Sequence, residues 1–564
     1  MFQNLLLMGV FVCIGTTTYS QKDIPTSYFD LPLKIPIELS GTFGELRNNH
    51  FHSGLDIKTL QKEGIPVYAP ADGHVSRIKV SHFGYGKALY IQHPNGYSTV
   101  YAHLREYAGA IQDFVKKIQY QRESYEVEMF PEADFLPVKK GDLIGFTGNT
   151  GGSGGPHLHY EIRDAHARPM NPLLFGIDVA DTRLPVVKSV FVYPISDDAQ
   201  VNQNANPMRL KLIPQSDGML LAEKIQASGK LGFAVSAFDR QNAGHNQNGI
   251  YSVKTSFNGE KVFEVKMDKF TFAETRYINR FIDYKEFKNS KDRHKKLFLE
   301  ENNPLSVITS HHQRGYVEIE DGFDSIYTIE VFDFKGNRTL ISVPIEGKKQ
   351  SIVNHKELVT SPFYVNAQEG TSIRAGKFVI YIPPKAVYED AYLNINSQNN
   401  ELTFHHDEIP IHYNVTITAD ISNYEEADLD KVYIARLSEW GRPYYVNSTR
   451  KGDKLSINTR TFGNYKLMAD VTPPEIVPLN FSNGRWISNN KTLEIKIEDK
   501  DSGIKGYRAT LNGKWILMEY EYKKNLLTFD FADDINEGTE YNLKLIVTDN
   551  VGNSSIFEAT FYRK

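Results

Sequence analysis

The sequence predicts a mainly β protein built from several domains, on three observations. Short runs in which aromatic and β-branched residues alternate with polar ones recur along most of the chain, and Tyr and Phe are abundant, at 32 and 33 residues. Tight pairs such as Asn258-Gly259 and Asn512-Gly513 separate these runs, which is hairpin chemistry. Finally, Val331-Phe332-Asp333-Phe334-Lys335-Gly336-Asn337-Arg338 returns as Val547-Thr548-Asp549-Asn550-Val551-Gly552-Asn553-Ser554, an internal repeat of a β unit. A chain of 564 residues exceeds what one core serves, so about three to five domains are expected.

The composition, 40% hydrophobic and 24% charged, is that of soluble globular protein. A net charge of −5 argues against broad nucleic-acid binding, which needs a basic face. Residues 1–20 read as a secretory signal peptide: the apolar run Leu5 to Ile14 is too short to span a bilayer, and Thr18-Tyr19-Ser20 offers small residues before Gln21. The n-region lacks Lys and Arg, which leaves an uncleaved N-terminal anchor as the competing reading. Val12 is too bulky for a lipidation signal at Cys13. Cys13 is the only cysteine, so export without disulfides is expected, to a bacterial periplasm, cell envelope or medium. That also excludes thiolate metal ligands and a cysteine nucleophile. No later segment is long and apolar enough to be a membrane span.

Residues 30–178 are rich in glycine and short β-type runs, including Val67 to Val75 and Leu89 to His93. Residues 105–138 interrupt this pattern with a polar, partly helical insertion, and strands resume at Val138. The repeat lies downstream. Ala237-Phe238-Asp239, Gly249-Ile250-Tyr251 and Asn258-Gly259 parallel Ile497-Glu498-Asp499, Gly503-Ile504 and Asn512-Gly513. Each copy follows a proline-marked joint, Asp181-Thr182-Arg183-Leu184-Pro185 and Asp470-Val471-Thr472-Pro473-Pro474. Residues 184–347 and 471–564 thus resemble bacterial immunoglobulin-like sandwiches. Residues 352–469 form a further β-rich module without a repeat partner.

Two segments carry chemistry. His50-Phe51-His52-Ser53-Gly54-Leu55-Asp56 and Gly155-Pro156-His157-Leu158-His159-Tyr160 look like halves of one metal site. On a strand, residues two apart share a face, so His52, Gly54 and Asp56 would point together, with Gly54 leaving space above the strand, and so would His157 and His159. Imidazole and carboxylate are good zinc ligands, and a catalytic zinc takes three of them and keeps one position open. Four candidates for three places leave one histidine for other work. No His-Glu-x-x-His helix motif is present, so its carboxylate base is missing. Tyr101-Ala102-His103-Leu104 supplies a further imidazole, expected on the face of Tyr101.

These motifs resemble the lysostaphin/LytM-type zinc endopeptidases. Gly44 through Asp56 is similar to the family's first metal motif, Tyr101-Ala102-His103-Leu104 to its middle motif, and Gly145 through Ile162 to its glycine-rich loop and His-x-His strand. The resemblance implies an antiparallel β-sheet peptidase domain with one zinc held by His52, Asp56 and His159. It makes His103 and His157 the catalytic pair, flanking a zinc-activated water. It implies a peptidoglycan peptide as substrate, at stems or cross-links. The sandwich modules are expected to act as spacers or to dock envelope proteins. The insertion 105–138 is longer than in compact members and could wall the groove. A non-catalytic envelope protein regulating another wall hydrolase, and a secreted protease acting on proteins, are the alternatives.

Other features read more plainly. His50 is a rival ligand without a carboxylate four residues on. His74, His82 and His93 lack partners, and the adjacent pairs His311-His312 and His405-His406 would point to opposite faces. The Gly148–Gly155 loop lacks a P-loop's Gly-Lys-Ser/Thr ending. Asp239, Asp333, Asp499 and Asp549 could hold calcium, but turn-stabilising hydrogen bonds are the expected role.

Overall fold

The computed structural model describes residues 24–357, 360–425, 428–533 and 538–564. The signal-peptide segment 1–20, with Cys13, lies outside the described residues. The chain is mostly strand, with an antiparallel sheet domain first and further β-rich domains after it. No described helix is long and apolar enough to cross a membrane.

The N-terminal sheet contains β1 (Leu39–Gly41), β2 (Leu55–Lys58), β3 (Gly73–Val80), β4 (Lys87–Gln92), β5 (Ser98–Tyr107), β6 (Leu143–Thr147) and β7 (His157–Arg163). Their spatial order is β1-β2-β7-β5-β4-β3, antiparallel throughout, and β6 also pairs with β5. Alternation sorts the side chains. Leu158, Tyr160 and Ile162 of β7 and Tyr101 of β5 are fully buried on one face, where Tyr101 and Tyr160 pack at 5.6 Å between ring centres. The other face carries the histidines.

The insertion forms helix α1 (Gly109–Arg122) and a short strand, Val127–Met129, paired with β3. It does not wall the groove described below. Its contacts run instead to the C-terminal sandwich: Tyr120 packs on Trp515 at 5.3 Å, Lys116 pairs with Asp533, and Glu123 pairs with Arg508 at 2.5 Å.

The second unit contains β8 (Val186–Pro194), β9 (Ile225–Phe238), β10 (Ser252–Phe257), β11 (Asp324–Phe332), helix α2 (Tyr284–Ser290) and β12 (Arg338–Gly347). Strand β9 serves two layers: its start pairs with β12 and its end with β8. Phe233 of β9 stacks on Tyr327 of β11 at 4.0 Å across the core. Residues 363–469 fold as two five-stranded sheets around their own apolar cluster, and residues 475–562 as two four-stranded sheets around another.

The sequence repeat is a structural one. Asp333 accepts from Asn337 N (2.9 Å) and Nδ2 (2.6 Å), and Asp549 accepts from Asn553 N (2.8 Å) and Nδ2 (2.7 Å). Gly336 and Gly552 both sit at φ +87°, the left-handed position these turns require. Asn337 and Asn553 then reach back to the carbonyls of Asp181 and Asp470 in the two joints. These bonds are the turn-stabilising role expected for the aspartates. One oxygen is left over. Asp239 is 4% exposed, its Oδ1 has no hydrogen-bond partner among the described residues, and its carboxylate converges with those of Asp181 and Asp333. Burial, then the charges of Asp181 and Asp333, push its carboxyl up to about 7.

A carboxyl whose folded pKa is raised favours the folded state only while protonated. That contribution is full below about pH 4 and is lost as pH rises through 7. Asp239→Asn is therefore expected to unfold less readily than the parent above pH 7, by about 1–2 kcal/mol, and to match it near pH 4. Unfolding midpoints from pH 4 to 9 check this; equal pH slopes would refute it.

Candidate metal centre

Strand register builds the centre. His159 of β7 lies directly opposite Asp56 of β2 on one side and Ala102 of β5 on the other. Opposed residues in antiparallel strands share a face, so His159 and Asp56 meet above the sheet. His52 is not on the same strand as Asp56, contrary to the expectation from spacing: residues 52–54 form a connection between Phe51 and β2. Its imidazole arrives by the fold of that connection. Gly54 leaves no empty space, since a Cβ there would lie 2.3 Å from the Tyr160 carbonyl.

Three donor atoms converge. His52 Nε2 is 3.0 Å from Asp56 Oδ1 and 3.1 Å from His159 Nδ1, and His159 Nδ1 is 2.9 Å from Asp56 Oδ1. All three residues are buried. The opposite atom of each ligand is tied outward: His52 Nδ1 to the Thr42 carbonyl (2.8 Å), His159 Nε2 to Glu161 Oε1 (2.9 Å), and Asp56 Oδ2 to Arg47 Nη2 (3.0 Å). These partners hold a proton on the outer nitrogen of each imidazole, so the inner nitrogen is the one that can offer a lone pair to an ion. Two imidazole nitrogens and a carboxylate oxygen aimed at one point fit a zinc ion.

The electrostatics agree. Burial would lower the His159 pKa, but hydrogen bonds and charges from Asp56 and Glu161 raise it to about 9. The centre thus favours positive charge at the place where a cation would sit. Glu161, fully buried, also accepts from Arg163 Nε (2.6 Å), Ser53 Oγ (2.8 Å) and the Tyr85 hydroxyl. Burial opposes its ionisation, but Arg163 and His159 outweigh it and hold the carboxyl well below the usual range.

Two further imidazoles face the same point. His157 Nδ1 donates to the Gly155 carbonyl (2.8 Å), which turns Nε2 to within 3.4 Å of Asp56 Oδ1. His103 Nδ1 donates to the Thr150 carbonyl (2.8 Å), and its ring lies 4.9 Å from that of His157. Burial, then the neighbouring His159 and His157, lower the His103 pKa to about 3, so its imidazole is neutral. The expectation that His103 shares the face of Tyr101 is overturned. The pairing of β4 with β5 shifts register here, and His103 has φ +60°. This bulge turns His103 to the polar face while Tyr101 stays in the core.

The loop carrying Thr150 is packed tightly. A Cβ on Gly148 would come within 2.4 Å of the Arg105 nitrogen, and one on Gly151 within 2.4 Å of the Gly84 carbonyl. The C-terminal sandwich holds the same loop: Lys523 Nζ donates to the carbonyls of Asn149, Gly151 (3.1 Å) and Ser153 (3.2 Å). Beside the centre runs a groove of about 870 Å³, lined by Glu38, Arg47, Lys58, Gly155 and His157, and on its far side by Ala243 and Asn246 of the second unit.

His50 is exposed, with Nδ1 bonded to the Asn48 carbonyl, and joins no metal group. His82 stacks on Tyr125 and His93 is bonded to Thr99 and the Asp72 carbonyl. Sequence reasoning gave no role to Tyr85, Thr42, Arg47, Glu161 or Arg163. Glu161 and Arg163 continue the alternation of His157 and His159 along β7, which was the available signal. Tyr85, 5.1 Å above the His159 ring, had none.

Residues 50–120 and 136–172 match Peptidase family M23, and residues 363–470 match the Zu5-like domain. The gap in the first match falls inside the insertion. The DD-carboxypeptidase/endopeptidase Mpg of Neisseria meningitidis serogroup B is 35% identical over 150 residues, 26% of this chain and 28% of its own. The peptidoglycan DD-endopeptidase ShyA of Vibrio cholerae serotype O1 is 34% identical over 131 residues, 23% of this chain and 24% of its own. A crystal structure of a zinc containing peptidase from Vibrio cholerae is 26% identical, with a TM-score of 0.20, over 27% of this chain and 40% of that one. The chain thus spans about a quarter of the length of the curated relatives it matches.

If the three converging donors hold the ion, His159→Ala abolishes stoichiometric zinc. Glu161→Gln, which keeps the shape but loses the charge behind His159, weakens zinc affinity about 10–100-fold. Metal content by mass spectrometry and competition with a chromophoric chelator give both values. Unchanged zinc in His159→Ala would refute the assignment.

Proposed function

We propose that the Peptidase family M23 domain of this chain works as an exported zinc metalloendopeptidase on peptidoglycan, cutting peptide bonds of stems or cross-links. The observation that carries the reading is the convergence of His52, Asp56 and His159, with His157 Nε2 3.4 Å from Asp56 Oδ1 and the His103 ring 4.9 Å from that of His157. The names of the relatives, both endopeptidases and one of peptidoglycan, support the substrate class.

In this reading His52, Asp56 and His159 hold the ion. Zinc, when bound, supplies Lewis-acid polarisation of the scissile carbonyl and makes water a stronger acid near neutral pH. The protein's own groups supply position and proton transfer. His103, kept neutral, can accept a proton at Nε2 from the attacking water. Its Nδ1–H stays on the Thr150 carbonyl, so the ring does not turn away. His157 is oriented in the same way by the Gly155 carbonyl; when Nε2 also carries a proton, as imidazolium, it can donate to the developing oxyanion and release that proton to the leaving amine, returning to neutral imidazole. The groove, of about 870 Å³, has room for a peptide segment, and its charged lining includes Arg47 and the ion pair of Lys58 with Glu38. Retention of every ligand and both imidazoles speaks against a purely regulatory envelope protein.

His103→Ala is expected to keep zinc at wild-type stoichiometry and lose about 10²–10⁴-fold in turnover. Digestion of purified peptidoglycan, with products identified by mass, should show new amine ends that a chelator removes and added zinc restores. Chelator-sensitive cleavage of casein but not of peptidoglycan would overturn the substrate, and full activity in His103→Ala would overturn the mechanism.

A further inference from the structure

A second cavity, of about 380 Å³, lies where three units meet: residues 47–49 beside the metal centre, helix α2 with the segment after it, and the Zu5-like domain. Its lining is strongly cationic. Arg47, Lys288, Lys291, Arg293, Arg436 and Arg460 contribute to it, against one carboxylate, Asp407. The whole chain carries −5, so this excess is local.

Asp407 offsets only part of it, as do Glu45 and Asp56, which pair with Arg47. The Asp407 carboxylate is already engaged by Lys288 Nζ and by the Tyr284 hydroxyl (2.9 Å), and Arg436 stands off at 3.9 Å. Lys291, Arg293 and Arg460 have no carboxylate within ion-pair distance among the described residues. Arg293 and Arg460 bond instead to the neutral amides of Asn48 and Asn414. Moreover, the Nε–H groups of Arg293 and Arg436 are buried with no hydrogen-bond partner among the described residues, and Arg47 Nε finds only Glu45 Oε1 at 3.5 Å. The side chains of Arg293 and Arg436 are only partly buried, but a buried guanidinium N–H without an acceptor leaves a donor free for a ligand oxygen. Like charges brought together by three separate units repel, and a cleft with low-dielectric walls strengthens their field.

We propose that this junction is an oxyanion-binding site, taking a ligand group with two or more negative charges, carboxylate or phosphate. Guanidinium forks bind both oxyanions bidentately, and the lysines add point charge. A volume of about 380 Å³ holds a small anionic group rather than a polymer strand. Arg47 lines both this cavity and the groove, and its Nη2 grips the metal-site residue Asp56. An anion here therefore sits one side chain away from the metal centre. Carboxylates of a wall peptide and phosphate esters share this chemistry, and the test separates them. The site is independent of whether the metal centre hydrolyses anything.

The experiment is calorimetric titration of the full chain with inorganic phosphate and, separately, with succinate, at ionic strength fixed with sodium chloride. Saturable binding of at least one is expected. Phosphate alone identifies the phosphate source; succinate, alone or as well, identifies the carboxylate source. Lys291→Gln and Arg436→Gln should each weaken binding roughly tenfold, and Arg436→Lys, which keeps the charge but loses the fork, should restore only part of that loss. Lys291 is exposed, so its replacement tests the site even if Arg436→Gln fails to fold. No saturation with either probe overturns the proposal. So does binding unaltered in Lys291→Gln and in a folded Arg436→Gln, since it would then belong to the metal centre.

Discussion

The pairing of β7 with its two neighbours is the constraint on which the rest of the centre depends. Only when His159 stands opposite Asp56 and Ala102 do the ligands share a face. A slip of one residue on β7 would bring Tyr160 to the polar side and bury His159 among Leu55, Tyr101 and Ile57, moving every chemical group at once. The register is therefore fixed by burial of Leu158, Tyr160 and Ile162, and the chemistry follows from the packing. The same strand supplies its own support, since His159, Glu161 and Arg163 alternate on one face and bond in series.

That series explains how so much charge is kept under the surface. A fully buried carboxylate is costly unless its oxygens are satisfied, and Glu161 accepts from four side chains. Its charge then does two things. It fixes which nitrogen of His159 carries the proton, and it favours a cation on the far side of the ring. Tyr85 completes the arrangement from above, and burial raises its phenol far beyond the usual range, so it stays a hydroxyl donor.

The sequence made the ligand types legible because metal chemistry restricts them to a few residues at short spacings. His52, Asp56, His103, His157 and His159 come together as their motifs suggested. The route by which they do so was not legible. Strand periodicity placed His52 and His103 on regular faces, yet one lies in a connection and the other on a bulge. A bulge depends on what the neighbouring strand does, and β4 carries no mark of it. Tyr85 and Thr42 were missed for a related reason: a hydroxyl and a carbonyl are common groups, and only the fold makes them specific. The sandwich repeat, in contrast, was readable down to its Asp-x-x-Gly-Asn turns, because those turns are local and their hydrogen bonds close within five residues. The insertion was legible as an interruption, but not its neighbours: Ile111 and Val115 pack into the core of the first domain, while Tyr120 reaches Trp515, far along the chain.

Distance along the chain also bears on why the accessory units accompany the peptidase domain. The Thr150 carbonyl orients His103, and the glycine-rich loop that carries it is held within its own domain by close backbone contacts to Arg105 and Gly84 and by Thr150 Oγ1, which accepts from Lys87 N and donates to the Leu104 carbonyl. Glycine-rich segments lose much conformational freedom when ordered, so further contacts help to hold such a loop in one position. Lys523 of the C-terminal sandwich supplies three of them, and Glu519 of the same sandwich is paired with Lys87, next to the loop's other neighbour, Gly86. The groove receives its far wall from Ala243 and Asn246 of the second unit. The first and last β units thus contact opposite margins of one small domain. A spacer would need no such contacts. The surroundings of the candidate metal centre thus include contacts from chain that the family match does not cover.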